Sequence, residues 1–308
     1  MDPQELGRLS IDVRYGLKFF MAMTIVKASG QKEEFDIGKL VDSLIRSGAS
    51  SEVAWDIARQ VAREIVPSTH TKHIFRLAKR LLKRYTPVSD MKYSLKRALS
   101  SLGPAGYQFE KYLAGILRAY QYEVETNKVI NGYCVTHEVD VFAVKNGNGY
   151  VIECKYHSNG GNPTDVKTAL YVHSRVEDIR RTHAGAPGNK IDIAEGWLVT
   201  NTRCTSDARK YAECVGLKIV SWKYPEEASL EKMIENKMLY PVNVLSSVKR
   251  SSLEALFRNQ IVLAKDIADM DETTFLKRSG LDEATARILK KEADSLCFAD
   301  ERRQNSRK

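Results

Sequence analysis

The 308-residue chain carries 48 Lys and Arg against 39 Asp and Glu, a formal charge of +9, with 43% hydrophobic and 28% charged residues. This is the composition of a folded soluble chain long enough for two or three cores, and its positive excess points to an anionic partner. The five cysteines (Cys134, Cys154, Cys204, Cys214, Cys297) form no Cys-x-x-Cys pair and no cluster with histidines, which argues against structural zinc and fits a reducing cytoplasm.

No stretch approaches the length of a membrane span, and "YGLKFFMAM" lacks a cleavage site, so residues 1–23 read as an N-terminal extension without a signal peptide. From residue 24, "TIV" reads as a short strand and Ser29-Gly30 as a turn. Ile37, Leu40, Val41, Leu44 and Ile45 recur at helical spacing, with Gly48 beyond the end of that helix. A second helix opens at Ser50 or Ser51 and closes before Pro67, a third opens near Thr71, and a fourth runs from about Ser89 through Leu99. Residues 24–100 hold 15 basic against 8 acidic side chains, and Arg76, Arg80 and Arg84 lie one turn apart. That stripe is either a solvated face or a phosphate-binding surface.

"IVKASGQKEEFDIGKL" resembles the opening of the ATP-cone, a regulatory nucleotide-binding module, over roughly residues 24–103. The resemblance implies that Ile25 and Lys27 flank a purine of ATP or dATP with Glu33 nearby, and that Lys39 and Thr71 approach its phosphates. The chain departs from that family at Ala28 and Ser29, where a second basic residue and an acid are usual.

After "SLGPAG", "YQFEKYLAGILRAYQYEVET" reads as an amphipathic helix with Phe109, Leu113, Ile116 and Leu117 on its apolar face, followed by a strand from near Tyr122. "CVTHEVDVFAV", "KNGNG" and "YVIECKYH" then read as a β-hairpin, because paired Asn-Gly steps between alternating apolar runs favour tight turns. A turn centred between Gly147 and Asn148 sets Asp140 across from Lys155 and Phe142 across from Glu153. Asp140, Glu153 and Lys155 then share one face, with the two carboxylates as diagonal neighbours roughly 7–8 Å apart. Such a pair can hold one hard cation, and Mg²⁺ or Mn²⁺ with retained waters suits two acids beside an ammonium. Lys155 could hold the attacking water or stabilise a charged transition state. Glu110, on the preceding helix, either completes the site or faces solvent. His137 and His157 either meet substrate phosphate or are ordinary polar neighbours.

This Asp…Glu-x-Lys hairpin behind a Glu-bearing helix resembles the PD-(D/E)xK nuclease fold. "AEGWLVTNTRCTSDARKYAECVGLKIVSW", read as strand, turn, helix capped by Ser206, and strand, resembles the tail of the Mrr-type restriction endonucleases through Val199-Thr200, Thr205 to Ala208, Tyr211-Ala212 and Gly216. Over residues 104–240 the resemblance implies a mixed-sheet α/β domain that hydrolyses DNA, with Asp140 and Glu153 as metal ligands, Lys155 as catalytic lysine and Glu110 assisting. Residues 241–300, with "KRSG" and "DEATARILKKEA", resemble a helix-hairpin-helix domain, and residues 301–308 read as a polar disordered tail. The expected whole is a multidomain α+β chain: a strand-plus-helices ATP-cone, a restriction-endonuclease-like domain and an all-α domain. It acts on DNA as a homo-oligomer, a dimer for double-strand cleavage. The alternative is a non-catalytic, nucleotide-responsive regulator built on an inactive nuclease core.

Overall fold

The computed structural model describes residues 23–85, 87–103, 106–159, 161–183 and 192–298, so the expected extension up to residue 22 and the tail from residue 299 lie outside it. Strands β1 (Thr24–Val26), β2 (Lys32–Glu34) and β3 (Thr69–His70) form a small sheet in the order β2-β1-β3. Helix α1 (Ile37–Arg46) starts where the Asp36 carboxylate accepts from the Lys39 N–H, and α2 (Ser51–Glu64) where the Ser50 hydroxyl accepts from the Val53 N–H. Gly48, at φ +92°, supplies the left-handed residue that turns the chain between them. With α3 (Thr71–Tyr85) they bury Leu44, Ile57, Ala58, Val61, Ala78 and Leu82 in one apolar cluster against Ile25.

The expected fourth helix is two short ones, α4 (Pro87–Tyr93) and α5 (Leu95–Leu99). The break falls at Ser94. Its N–H is shared between the carbonyls of Asp90 and Met91, and its hydroxyl donates to Asp90 O at 2.9 Å. A serine that bonds back to the preceding turn tightens the helix locally.

Helix α6 (Tyr107–Ala119) leads into a five-stranded mixed sheet of β4 (Glu123–Asn131), β5 (Thr136–Lys145), β6 (Asn148–Lys155), β7 (Asp192–Thr200) and β8 (Lys218–Val220), in that spatial order. β4, β5 and β6 run antiparallel; β6, β7 and β8 run parallel. One face carries Phe142, Val151 and Leu198 against α7 (Val166–His183) and α8 (Ser206–Val215). The other carries Val141, Ala143, Ile152 and Val199 against α6. The α8 cap is the Thr205 hydroxyl, one residue before the expected Ser206, and Gly216 ends the helix at φ +69°.

The cluster on the α6 face extends well beyond the nuclease-like sheet. It takes in α4 and α5, then α9 (Leu230–Asn236) and the C-terminal helices α10 (Arg250–Arg258), α11 (Ala264–Asp269), α12 (Glu272–Ser279) and α13 (Glu283–Cys297). Fully buried Tyr112 on α6 donates its hydroxyl to Leu239 O at 2.6 Å, and Ser246 donates to the buried Asp90 carboxylate at 3.1 Å. The boundaries expected near residues 103 and 240 therefore fall inside one continuous core. Gly196 on β7 lets α7 lie close: a Cβ there would stand 2.5 Å from Val176 Cγ2.

Candidate active site

The hairpin turns one step earlier than its doubled Asn-Gly pattern led us to expect. Asn146 and Gly147 both have positive φ, 54° and 80°, as a two-residue primed turn demands, and Lys145 faces Asn148. The Asn148-Gly149 pair lies in β6. Pairing then runs to Val141 opposite Ile152, so the same register continued sets Asp140 opposite Glu153 rather than Lys155. The shift is two residues, an even number, which by itself turns no strand over. Glu153 and Lys155 share a face of β6. On β5, Val139 packs in the cluster of Phe142 and not in that of Val141, so strict alternation breaks at Asp140.

At Asp140 the ladder opens on both sides. On β4 the regular register skips Asn127, which adopts φ +53°. On the β6 side the Cys154 N–H is taken at 2.7 Å by the Asp140 carboxylate itself. A side chain thus replaces a ladder carbonyl, and strands that would otherwise close over the acid are held apart around it.

Three carboxylates sense one another in this opening. Burial, then the charges of Asp140 and Glu110, pushes Glu153 up to about 7 against the pull of Arg175 and Lys155. Burial and Asp140 raise Glu110, whose partner is the Asn127 side chain. Burial also raises Asp140, against the hydrogen bond from Cys154. Arg175 on α7 meets this charge: Nη1 lies 2.5 Å from Glu153 Oε2 and 3.1 Å from Glu138 O, and Nη2 donates to the Tyr171 hydroxyl. The sequence offered no link between Arg175 and the acids. Its only signal was a cation one helical turn from Tyr171, and only the close contact of α7 with β7 brings it to the strand.

Lys155 ends β6 opposite Thr200 with its side chain exposed. His157 is held by its backbone, donating to Asn201 Oδ1 and accepting from Asn201 Nδ2, while Nε2 lies 3.0 Å from the Thr164 hydroxyl. His137 pairs with Asp178 at 2.8 Å. In the N-terminal unit Ile25 is buried and faces Glu33 across β1 and β2, Glu33 closes on Lys27 at 2.6 Å, and Thr71 opens α3 directly after β3. Lys39 instead lines a separate cavity whose wall includes none of Ile25, Lys27, Glu33 or Thr71.

Among the described residues no group of three His, Cys, Asp or Glu side chains stands where it could hold a metal ion. Asp140 and Glu153 form a two-carboxylate site at most, of a chemistry that suits a hard divalent cation with retained waters. Arg175 and Lys155 only partly balance the negative charge of these acids, and an Mg²⁺ ion characteristically takes one or two carboxylates and keeps several waters. Asp140 and Glu153 would hold such an ion, Glu110 acting from α6.

Residues 104–226 match the restriction endonuclease family Mrr_cat, and residues 240–297 match the AF1548-like C-terminal family. An uncharacterized protein of Archaeoglobus fulgidus is 35% identical over 181 residues, which cover 59% of this chain and 97% of that protein. The crystal structure of AF1548, a protein of unknown function, matches with a TM-score of 0.53 at 32% identity, covering 64% of this chain and all of that one. Both family matches begin after residue 103, on the α6 side of the N-terminal unit. The chain accordingly belongs to the AF1548-like family, in which it joins a restriction-endonuclease domain to an AF1548-like C-terminal domain.

Proposed function

We propose that the protein is a metal-dependent DNA endonuclease that hydrolyses phosphodiester bonds with Mg²⁺ or Mn²⁺. The observation that supports this reading is the opening at Asp140, where the charges of Asp140, Glu110 and Lys155 all bear on Glu153 within a restriction-endonuclease domain. When bound, the cation supplies charge neutralisation at the phosphate and acidifies water. Asp140 is fixed by the Cys154 N–H, so its free oxygen is presented at a constant angle. Glu153 gives up its proton or its Arg175 partner to become a ligand. Lys155 orients the nucleophilic water and offsets charge that develops on the phosphoryl oxygens.

The N-terminal unit is the natural seat of a response to ATP or dATP. Its β1–β2 turn touches the loop that follows Lys155: a Cβ on Gly161 would lie 3.2 Å from Ser29 N. Two copies of the chain, each with one site, would cut both strands. Unpaired cysteines suit a cytoplasmic setting, and no described helix is long and apolar enough to cross a membrane.

The deciding experiment is cleavage of modified, unmodified and branched DNA by wild type and Lys155→Ala, with Mg²⁺ or with EDTA. The reading expects Mg²⁺-dependent cutting that the alanine variant loses while it still binds DNA. Equal cutting by a pure Lys155→Ala protein refutes it. Complete absence of nicking with either metal would favour a non-catalytic regulator on the same fold.

A further inference from the structure

Between the N-terminal unit and the nuclease domain lies a cavity of about 290 Å³, remote from the carboxylates in its lining. Its walls are two basic helical stripes, the segment after β8, and α9, which carries Glu231 and Glu235. Lys39, Ser43 and Arg46 recur at i, i+4 and i+7 on α1, Lys92 and Lys96 at i and i+4 across α4 and α5, and Trp222-Lys223 follow β8. Five cations thus converge from three parts of the chain, against two acids, Glu231 and Glu235. Lys39 has only Asp36, at 3.9 Å. Among the described residues, Arg46, Lys92, Lys96 and Lys223 have no carboxylate within 4.0 Å. Buried Trp222 forms the floor, with Lys96 Nζ 5.9 Å from its ring centroid.

Glu235 feels Lys92 and Arg46, and Glu231 acts on Lys96, but the cations outnumber these acids. Like charges gathered in excess repel, and a folded protein keeps them together at a cost unless an anion is bound there. Desolvation, reinforced by the Lys223 charge, already pulls Lys96 below the usual lysine range. The positive excess in the wall is three charges, whereas a phosphate monoester carries only about −1.5 to −2 at neutral pH. A di- or triphosphate matches better. The partly enclosed shape favours a small ligand over a nucleic-acid backbone, which needs an open groove.

We propose that this cavity binds the di- or triphosphate group of a small ligand, held by Lys92, Lys96, Lys223, Arg46 and Lys39. The site deepens the reading of a nucleotide response by giving the phosphates a place away from the Lys27–Glu33 pair. Binding itself requires no nuclease activity. A ligand here bridges α1 to α4, α5 and the segment after β8, so it ties the N-terminal unit to the catalytic domain.

Full-length protein in EDTA is titrated with inorganic triphosphate, ATP and dATP by calorimetry and by Trp222 emission. One ligand per chain is expected. The double variant Lys92→Ser/Lys96→Ser should weaken inorganic triphosphate at least about tenfold, the loss of about 1.4 kcal/mol or more of charge-assisted bonding. Lys27→Ser should leave it unchanged. Should the double variant not melt cooperatively, Lys223→Ser, at an exposed position, serves in its place. Equal affinity for ATP and inorganic triphosphate identifies a phosphate-only site, and tighter ATP or dATP adds the nucleoside; both support the inference. It is overturned if wild type binds none of the three, if the lysine variants bind as wild type does, or if Lys27→Ser alone abolishes binding. Displacement of triphosphate by short duplex DNA with the same lysine dependence would also overturn it, since the lysines would then be tracking a nucleic-acid strand.

Discussion

Arg175→Met removes the cation that bonds directly to the Glu153 carboxylate. The guanidinium sits 2.5 Å from Glu153 Oε2, and the two side chains are only 14% and 20% exposed. At an effective dielectric of about 20, unit charges about 4 Å apart attract by about 4 kcal/mol, which bounds the loss. Glu153 can take up a proton near neutrality, so part of that is recovered and a destabilisation of about 1–3 kcal/mol is expected in EDTA at pH 8. Mg²⁺ should restore most of it, because the cation neutralises the same charge that Arg175 did. In wild type, metal binding must first displace Arg175; in the variant it does not. The variant should therefore bind Mg²⁺ more tightly by about tenfold, equivalent to about 1.4 kcal/mol. Urea melts of both proteins with and without saturating Mg²⁺ measure this directly. If Mg²⁺ stabilises both equally, Arg175 and the cation do not compete, and the assignment of Glu153 as a ligand fails with it.

Three further outcomes follow from single contacts. The Glu153 carboxyl rises from 4.5 to about 7 on folding, so the native state binds the extra proton. Its stabilising contribution is whole below about pH 4.5 and lost as pH rises through 7, a fall on the order of 2–3 kcal/mol in metal-free protein that Glu153→Gln should flatten. Tyr112→Phe leaves the buried Leu239 carbonyl without its donor and should cost about 1–3 kcal/mol, lowering the urea midpoint without touching Mg²⁺ binding; an unchanged midpoint would show that the link from α6 to residue 239 contributes nothing. Gly196→Ala forces a methyl against Val176 at a cost of about 1–3 kcal/mol. Adding Val176→Ala should return much of that stability, and no rescue would mean that α7 is not held by this contact.

The N-terminal helices, α6, the hairpin and the strand–helix–strand at its end were legible because each follows from local rules. The Ser50 cap, Gly48 at a helix end, and apolar residues at periods of two or 3.6 need only neighbours in sequence. The even spacing of Glu153 and Lys155 likewise survived a two-residue error in register, since only an odd slip turns a strand over. Where two Asn-Gly steps compete for one turn, local rules rank them equally. The packing of β5 and β6 into the sheet chose the first.

Sequence alone thus singled out the residues on which the proposed chemistry rests: Glu153 and Lys155 on one strand face, Asp140 on the strand beside them, and Glu110 on the helix before them. Tertiary structure decided what surrounds them. Arg175 reaches Glu153 only because Gly196 lets α7 approach, and Asp140 stands free only because Asn127 and Cys154 open the ladder on either side. One apolar core runs across residues 103 and 240, where the family matches begin, joining α4 and α5 to the C-terminal helices through α6. Period and capping are properties of adjacent residues, whereas charge neutralisation, close approach and shared cores depend on segments that sequence places far apart.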